Sequence, residues 1–158
     1  MKFEHNNISP LDNRYSSKIL DTRLCFSEAE LIKQRFIIEI DWLIYLCDKH
    51  PKHFLKISNT LKNKLSIFKN QFSDKYVLKI KKIEKKTNHD VKAVEYFIKD
   101  YFLKDKQLAK YIHLIHFGLT SEDVNSLAYA IMIKTGIKIH IQKLQSLTKS
   151  LNSYSTRW

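Results

Sequence analysis

Between Glu122 and Leu151 apolar residues keep returning at helical spacing, as Leu127, Ile131, Ile133, Ile137, Ile141, Leu144 and Leu147. In water such a run has one good solution, a single long helix with other helices laid along its apolar side. Thr120 and Ser121 are both N-cap types. Glu122 and Asp123 then fall in the first turn, where the helix dipole favours carboxylates. Gly136 lies inside the run and weakens the expectation of an unbroken helix, since it costs about 1 kcal/mol relative to Ala. The chain closes on Asn152–Trp158. It therefore ends before supplying enough partner helices for a stripe this wide.

The rest of the chain is helical by the same reasoning. Two Gly and two Pro in 158 residues leave little turn punctuation, which favours long helices and short loops. Ser27 and Glu30 form a capping box. The helix they open runs to about Lys49, with Leu31, Ile37, Ile40, Ile44 and Cys47 as its stripe. Phe36, Trp42, Leu43 and Leu46 widen that stripe, which implies burial on more than one side, and His50-Pro51 ends it. From His53 to Lys86 two or three shorter segments follow: Leu61, Leu65, Phe68 and Phe72 give one face, Val77, Ile80 and Ile83 another. Ser73-Asp74 separates them. A further helix runs from Asn88 to about Leu103, with Val91, Val94, Ile98 and Tyr101 on one face. Residues 1–26 read as irregular, with a turn at Pro10 and Asp12-Asn13.

Several function classes lose ground on these grounds. Cys25 and Cys47 have no metal-ligand or CxxC spacing and read as thiols of a reduced compartment. Met1–Asn7 is polar and shows no secretory signal, so a cytoplasmic location is expected. The most apolar stretch, Phe36–Cys47, is broken by Glu39 and Asp41, against a membrane span. A formal net charge of +12 points toward polyanions. Lysines, however, are spread through the whole chain, and Lys79, Lys81, Lys82, Lys85 and Lys86 read as a solvated face rather than a nucleic-acid surface.

Polar chemistry concentrates in three places. Thr87-Asn88-His89-Asp90 sets four capping candidates in a row before an apolar helix, with Thr87 or Asn88 as the expected N-cap. Either the start is capped redundantly or the spare groups serve a ligand. Thr120-Ser121 is a second such start, and Gly118 before it allows an unusual turn or a close approach. Both helix N-termini suit an anion. Arg14 beside Tyr15 is either a third anion clamp or a surface pair stacked on itself. His89 adds a group that exchanges protons near neutral pH. His113 and His116 stand three apart, but further ligands at a useful spacing are missing, so no metal is expected.

Taken together, Ser9–Tyr15, Thr87–Phe97 and His116–Asn125 resemble adenylosuccinate lyase of the bacterial type, in the fumarase/aspartase superfamily. The resemblance covers nearly the whole chain in the right order. It implies an all-α fold: an N-terminal helical domain over 1–119, then from 120 to 158 the first long helix of a superfamily-type helical bundle. It implies a homotetramer whose active sites draw on three subunits. It implies a lyase, without cofactor or metal, that eliminates fumarate from adenylosuccinate, giving AMP, and from the succinyl-carboxamide ribotide intermediate of purine synthesis. The substrates carry a phosphate and two carboxylates. By position, Arg14 and Tyr15, then Asn88, His89 and Asp90, then Thr120 and Ser121 would bind substrate, His89 lying near the reacting part with an assisting role left open.

Two departures stand out. Asn13 replaces the usual Gly of Asp-Gly-Arg-Tyr, a mild change because Asn tolerates positive φ. The Thr-x-His-x-Gln segment that carries the general acid and the serine loop that carries the general base are not in this sequence. The expectation is an N-terminal fragment or truncated product, inactive alone. The alternatives are a non-catalytic relic or partner of an intact lyase, and a basic helical nucleic-acid binder.

Overall fold

The computed structural model describes Ser9, Leu11 and residues 14–157, and among these no strand forms. The turn expected at Pro10 and Asp12-Asn13 lies outside the described residues. Six α-helices follow in order: α1 Leu20–Phe26, α2 Glu28–Lys49, α3 Asn59–Asn70, α4 Asp74–Thr87, α5 Asp90–Phe102 and α6 Ser121–Ser155, with a 3-10 helix at Leu108–Leu114 between the last two. The chain separates into two compact units, one of residues 31–129, the other of residues up to Glu30 together with those from Ala130 onward.

The larger unit holds the core. Ile32, Phe36, Ile40, Leu43 and Cys47 face inward from α2, so the buried stripe is shifted from the Leu31–Ile37–Ile44 line while its breadth is as expected. Leu61, Leu65 and Phe68 meet it from α3, Ile80 from α4, and Val91, Val94 and Ile98 from α5. Phe36 is the hub: its ring lies edge-on to Phe68 at 4.9 Å and is tilted against Phe72 at 5.2 Å and Phe97 at 6.0 Å. Edge-to-face contacts of this kind add to the burial of the rings themselves.

Local signals account for most helix starts. The Glu30 N–H donates to Ser27 Oγ at 3.2 Å, as the capping box requires. On α3 the Ser58 hydroxyl accepts from the Leu61 N–H at 3.3 Å. Ser58→Ala should cost about 1 kcal/mol, the usual worth of such a cap, read as a lower urea midpoint at unchanged slope.

In the smaller unit the expected irregular stretch is in part helical, since Leu20–Phe26 forms α1. No side chain caps it, so there was no start signal to read. It is held by tertiary contacts instead: the Cys25 thiol donates to the Met132 carbonyl at 3.0 Å, and Lys143 pairs with Asp21 at 2.9 Å. Gly136 does not break α6. Phe26 packs where its side chain would be, and a Cβ there would run into the ring. Further along α6, Ile137, Ile141, Leu144, Leu147 and Leu151 remain about half exposed, the apolar stripe that the sequence left without partners.

Candidate functional site

Two polar residues four apart on α2 organise the site, although they sit in the most apolar helix of the larger unit. Arg35 is only 5 % exposed and Glu39 1 %. Four residues apart, their side chains stack one turn above the other on the same face. Arg35 reaches both distant segments. Its Nη2 pairs with Asp90 Oδ2 at 2.7 Å, at the start of α5, and its Nε–H donates to Asn125 Oδ1 at 2.9 Å, in the first turns of α6. The planar guanidinium fork makes it possible for one residue to tie two helix starts together.

The α5 start is built differently from the sequence expectation. Neither Thr87 nor Asn88 caps it. Asn88 closes α4 in the left-handed region, at φ 49° and ψ 36°, with its N–H donating to the Glu84 carbonyl. Asn is among the few residues that accept that conformation readily. Thr87 turns its hydroxyl back to the Ile83 carbonyl at 3.2 Å. The cap is His89, whose Nδ1 accepts from the Lys92 N–H at 3.2 Å. Asp90 is the first helical residue. Burial pushes its carboxyl up, but the Val91 N–H and the Arg35 guanidinium outweigh that and hold it below the ordinary carboxylate value. The His89 and Asp90 side chains remain about half exposed.

At the other end of the site, Thr120 and Asp123 cap α6 reciprocally. The Asp123 N–H donates to Thr120 Oγ1 at 3.2 Å, while the Thr120 N–H and hydroxyl both donate to Asp123 Oδ2 at 2.7 Å. Those two bonds hold the Asp123 carboxyl below its ordinary value. Ahead of the cap the chain turns through two left-handed residues, His116 at φ 64° and Gly118 at φ 70°. Among the described residues nothing lies within 4 Å of a Cβ built on Gly118, and its positive φ is what the turn requires of a glycine. The Trp42 indole N–H clamps this turn by donating to the Phe117 carbonyl at 2.9 Å.

That turn drives the His116 ring inward, where Nδ1 lies 2.6 Å from Glu39 Oε1. The other oxygen of Glu39, Oε2, is buried with no hydrogen-bond partner among the described residues. Burial pushes the Glu39 carboxyl up, His116 pulls it back in part, and nearby Glu95 adds to the rise. Glu95, equally buried, has the opposite balance: burial raises it, and Lys92 and Lys99 outweigh burial, so it sits low.

The raised group gives a signed prediction. A carboxyl that binds its proton more tightly in the folded state contributes stability that is complete below the unfolded value, near 4.5, and is lost as pH rises through the folded value. Glu39→Gln removes that loss. In paired urea titrations the variant should gain on the parent steadily as pH is raised from 4.5. A difference that stays flat with pH would contradict the assignment.

His89 and Asp90 lie on one helix start, with Asn88 just before it at the end of α4, and Thr120 and Ser121 lie on the other; Arg35 joins the two starts. Arg14 and Tyr15 belong to the smaller unit, where the guanidinium stands 5.4 Å from the Tyr15 ring centre, and both are exposed. Arg35 was not singled out from the sequence, Glu39 was read only as breaking an apolar stretch, and His116 and Asn125 were given no site role beyond bounding the third matching segment, His116 having been weighed as a metal ligand. The available signal was the pair of opposite charges four apart within an apolar helix. Among the described residues no group of three or more His, Cys, Asp or Glu is placed to hold a metal.

The described residues form helices and no strand, and the sequence profile of the lyase family matches residues 45–157. The chain belongs to that family. It is 44 % identical over 139 residues to an adenylosuccinate lyase of Legionella pneumophila strain Corby, covering 87 % of this chain and 30 % of the relative. Against the adenylosuccinate lyase of Buchnera aphidicola from Schizaphis graminum it is 41 % identical over 130 residues, 80 % of this chain and 28 % of the relative. For that of Haemophilus influenzae the figures are 38 % over 155 residues, 94 % and 34 %. The chain spans about three-tenths of the length of the first of these curated relatives.

Proposed function

We propose that this chain is the N-terminal portion of an adenylosuccinate lyase and carries substrate-holding segments of its active site. The reaction is the elimination of fumarate from adenylosuccinate, and from the succinyl-carboxamide ribotide intermediate of purine synthesis, with no cofactor. The observation that carries the proposal is the Arg35 bridge, which brings the His89–Asp90 helix start and the α6 start to one buried cation. Each start sets polar side chains beside the positive end of a helix, and a field of that sign suits a ligand with a phosphate and two carboxylates. Asn88, His89 and Asp90 would bind one part of the substrate, and Thr120 and Ser121 the succinyl group. The family resemblance gives Arg14 and Tyr15 a substrate-binding role as well. In this reading residues 1–119 form the N-terminal helical domain. Residues 120–158 open a helical bundle, and the half-exposed stripe of α6 is covered within a homotetramer of the cytoplasm.

The test joins this chain to what it lacks. The 158-residue polypeptide alone should show no loss of adenylosuccinate absorbance, because the family's general acid and base are not in it. A chimera, with residues 1–158 replacing the matching part of the Legionella relative, should assemble and turn over. His89→Ala in that chimera should lower kcat/KM by at least about a hundredfold, the scale of a lost positioned acid–base or orienting group. A folded, tetrameric but inactive chimera would overturn the proposal, and so would turnover by the short polypeptide alone.

A further inference from the structure

Six lysines of the larger unit have a carboxylate against them. Lys62 pairs with Asp48, Lys64 with Asp105, Lys69 with Asp41 and Lys81 with Glu84, while Lys92 and Lys99 close on Glu95. Lys79, Lys82, Lys86 and Lys104 are among the lysines with no ion pair among the described residues, and what sets them apart is their common location. These four line one cavity of about 340 Å³ between α4 and α5. The spacing 79, 82, 86 puts three of them along one stripe of α4. Lys81, from the same lysine-rich run, is spent on Glu84. The run read from sequence as one solvated face therefore divides, and only part of it gathers in the groove.

Aromatic groups make the floor of this cavity. Tyr76 and Phe97 pack at 4.9 Å, and Tyr101 lies beside them with its ring stacked flat on buried Phe68 at 3.5 Å. Burial, with Tyr101 adding to it, pushes the Tyr76 phenol up, so it stays a hydroxyl donor. One carboxylate, Asp100, faces the four lysines. Four cations around a single carboxylate still repel one another, and a bound anion relieves that repulsion. A cavity of this size, floored by rings that the core holds still and rimmed by a few charged groups, has the anatomy of a small-molecule site. Its lining comes from one helix pair and Lys104 just past it, whereas a nucleic-acid strand needs a basic track with successive stacking positions.

We propose that the α4–α5 groove binds a planar aromatic molecule carrying phosphate groups, of the nucleoside polyphosphate class, with its ring on the aromatic floor and its phosphates on the lysines. The site is separate from the helix starts that Arg35 joins, and the proposal does not depend on the lyase reading. The test titrates ATP, and separately inorganic tripolyphosphate, into the 158-residue chain at physiological salt while amide shifts are followed by NMR. Saturable shifts should gather on residues 76–86 and 97–104, and ATP should bind about tenfold more tightly than tripolyphosphate because only it can stack. K82E/K86E should weaken ATP by tenfold or more. K134E/K138E on α6 removes the same charge and should leave binding within about twofold. If the charge-swapped groove does not fold, judged by circular dichroism, K82Q/K86Q carries the comparison. Equal weakening by both double variants would overturn the proposal. Shifts confined to residues 88–93 and 118–123 would also overturn it, as would an RNA 12-mer that displaces ATP while shifting lysines throughout the chain.

Discussion

Replacing Phe36 by Ala is expected to cost about 3–5 kcal/mol, the range for deleting a fully buried ring, and to leave the larger unit close to unfolded at 37 °C. Its exposure is 0 %, and its ring touches Phe68 from α3, Phe97 from α5, and both Phe72 and Tyr76 around the α3–α4 corner. Those neighbours are themselves rings, three on separate helices and Phe72 in the α3–α4 connection, so the gap cannot be closed by one side chain turning inward. Phe36→Leu should recover about half of the loss, because it restores much of the volume without the edge-to-face contacts. Urea unfolding followed by circular dichroism reads both. A cost under about 1 kcal/mol for Phe36→Ala would mean the aromatic cluster is not the keystone described above.

Arg35→Ala should rank next. Removing one partner of a buried pair costs roughly 3–5 kcal/mol, and here the lower end applies, because Asp90 is about half exposed and water can take over part of its charge. Asn125 loses its donor as well. Arg35→Lys should recover only part of the stability, since an ammonium cannot reproduce the two-way fork. In the chimera with the Legionella relative, Arg35→Lys should lower kcat/KM by more than its effect on stability explains. Stability without that functional loss would make the bridge a packing device alone.

How much of this could be read beforehand differs between elements for physical reasons. Ser27 and Glu30, Pro51 and the Ser73-Asp74 break act on their own neighbours, so α2, α3 and α4 were legible from short windows. The helix α1 was not, because its support comes from Met132 and Lys143, more than a hundred residues away. The α5 start was located but its parts were misassigned. The usual capping types stood just before it, yet the left-handed Asn88 spends itself on α4 and the cap falls to an imidazole. The candidate residues on helix starts were visible because local runs of polar side chains are visible. Arg35, Glu39 and Asn125 were hidden because their meaning lies in a three-helix junction, and the turn that aims His116 at Glu39 leaves only a glycine two residues later as its trace.

The cap on α5 has a consequence for which direction a proton can travel. While Nδ1 accepts the Lys92 N–H, the hydrogen of the ring is carried on Nε2. In this arrangement His89 offers any ligand a hydrogen to share and has no lone pair free to take one. To serve as a base it would first have to swing away and leave the first turn of α5 untied. The same ring that begins the helix thereby sets its polarity toward whatever binds there: it is poised to hold an electron-rich atom, and a proton acceptor has to come from elsewhere.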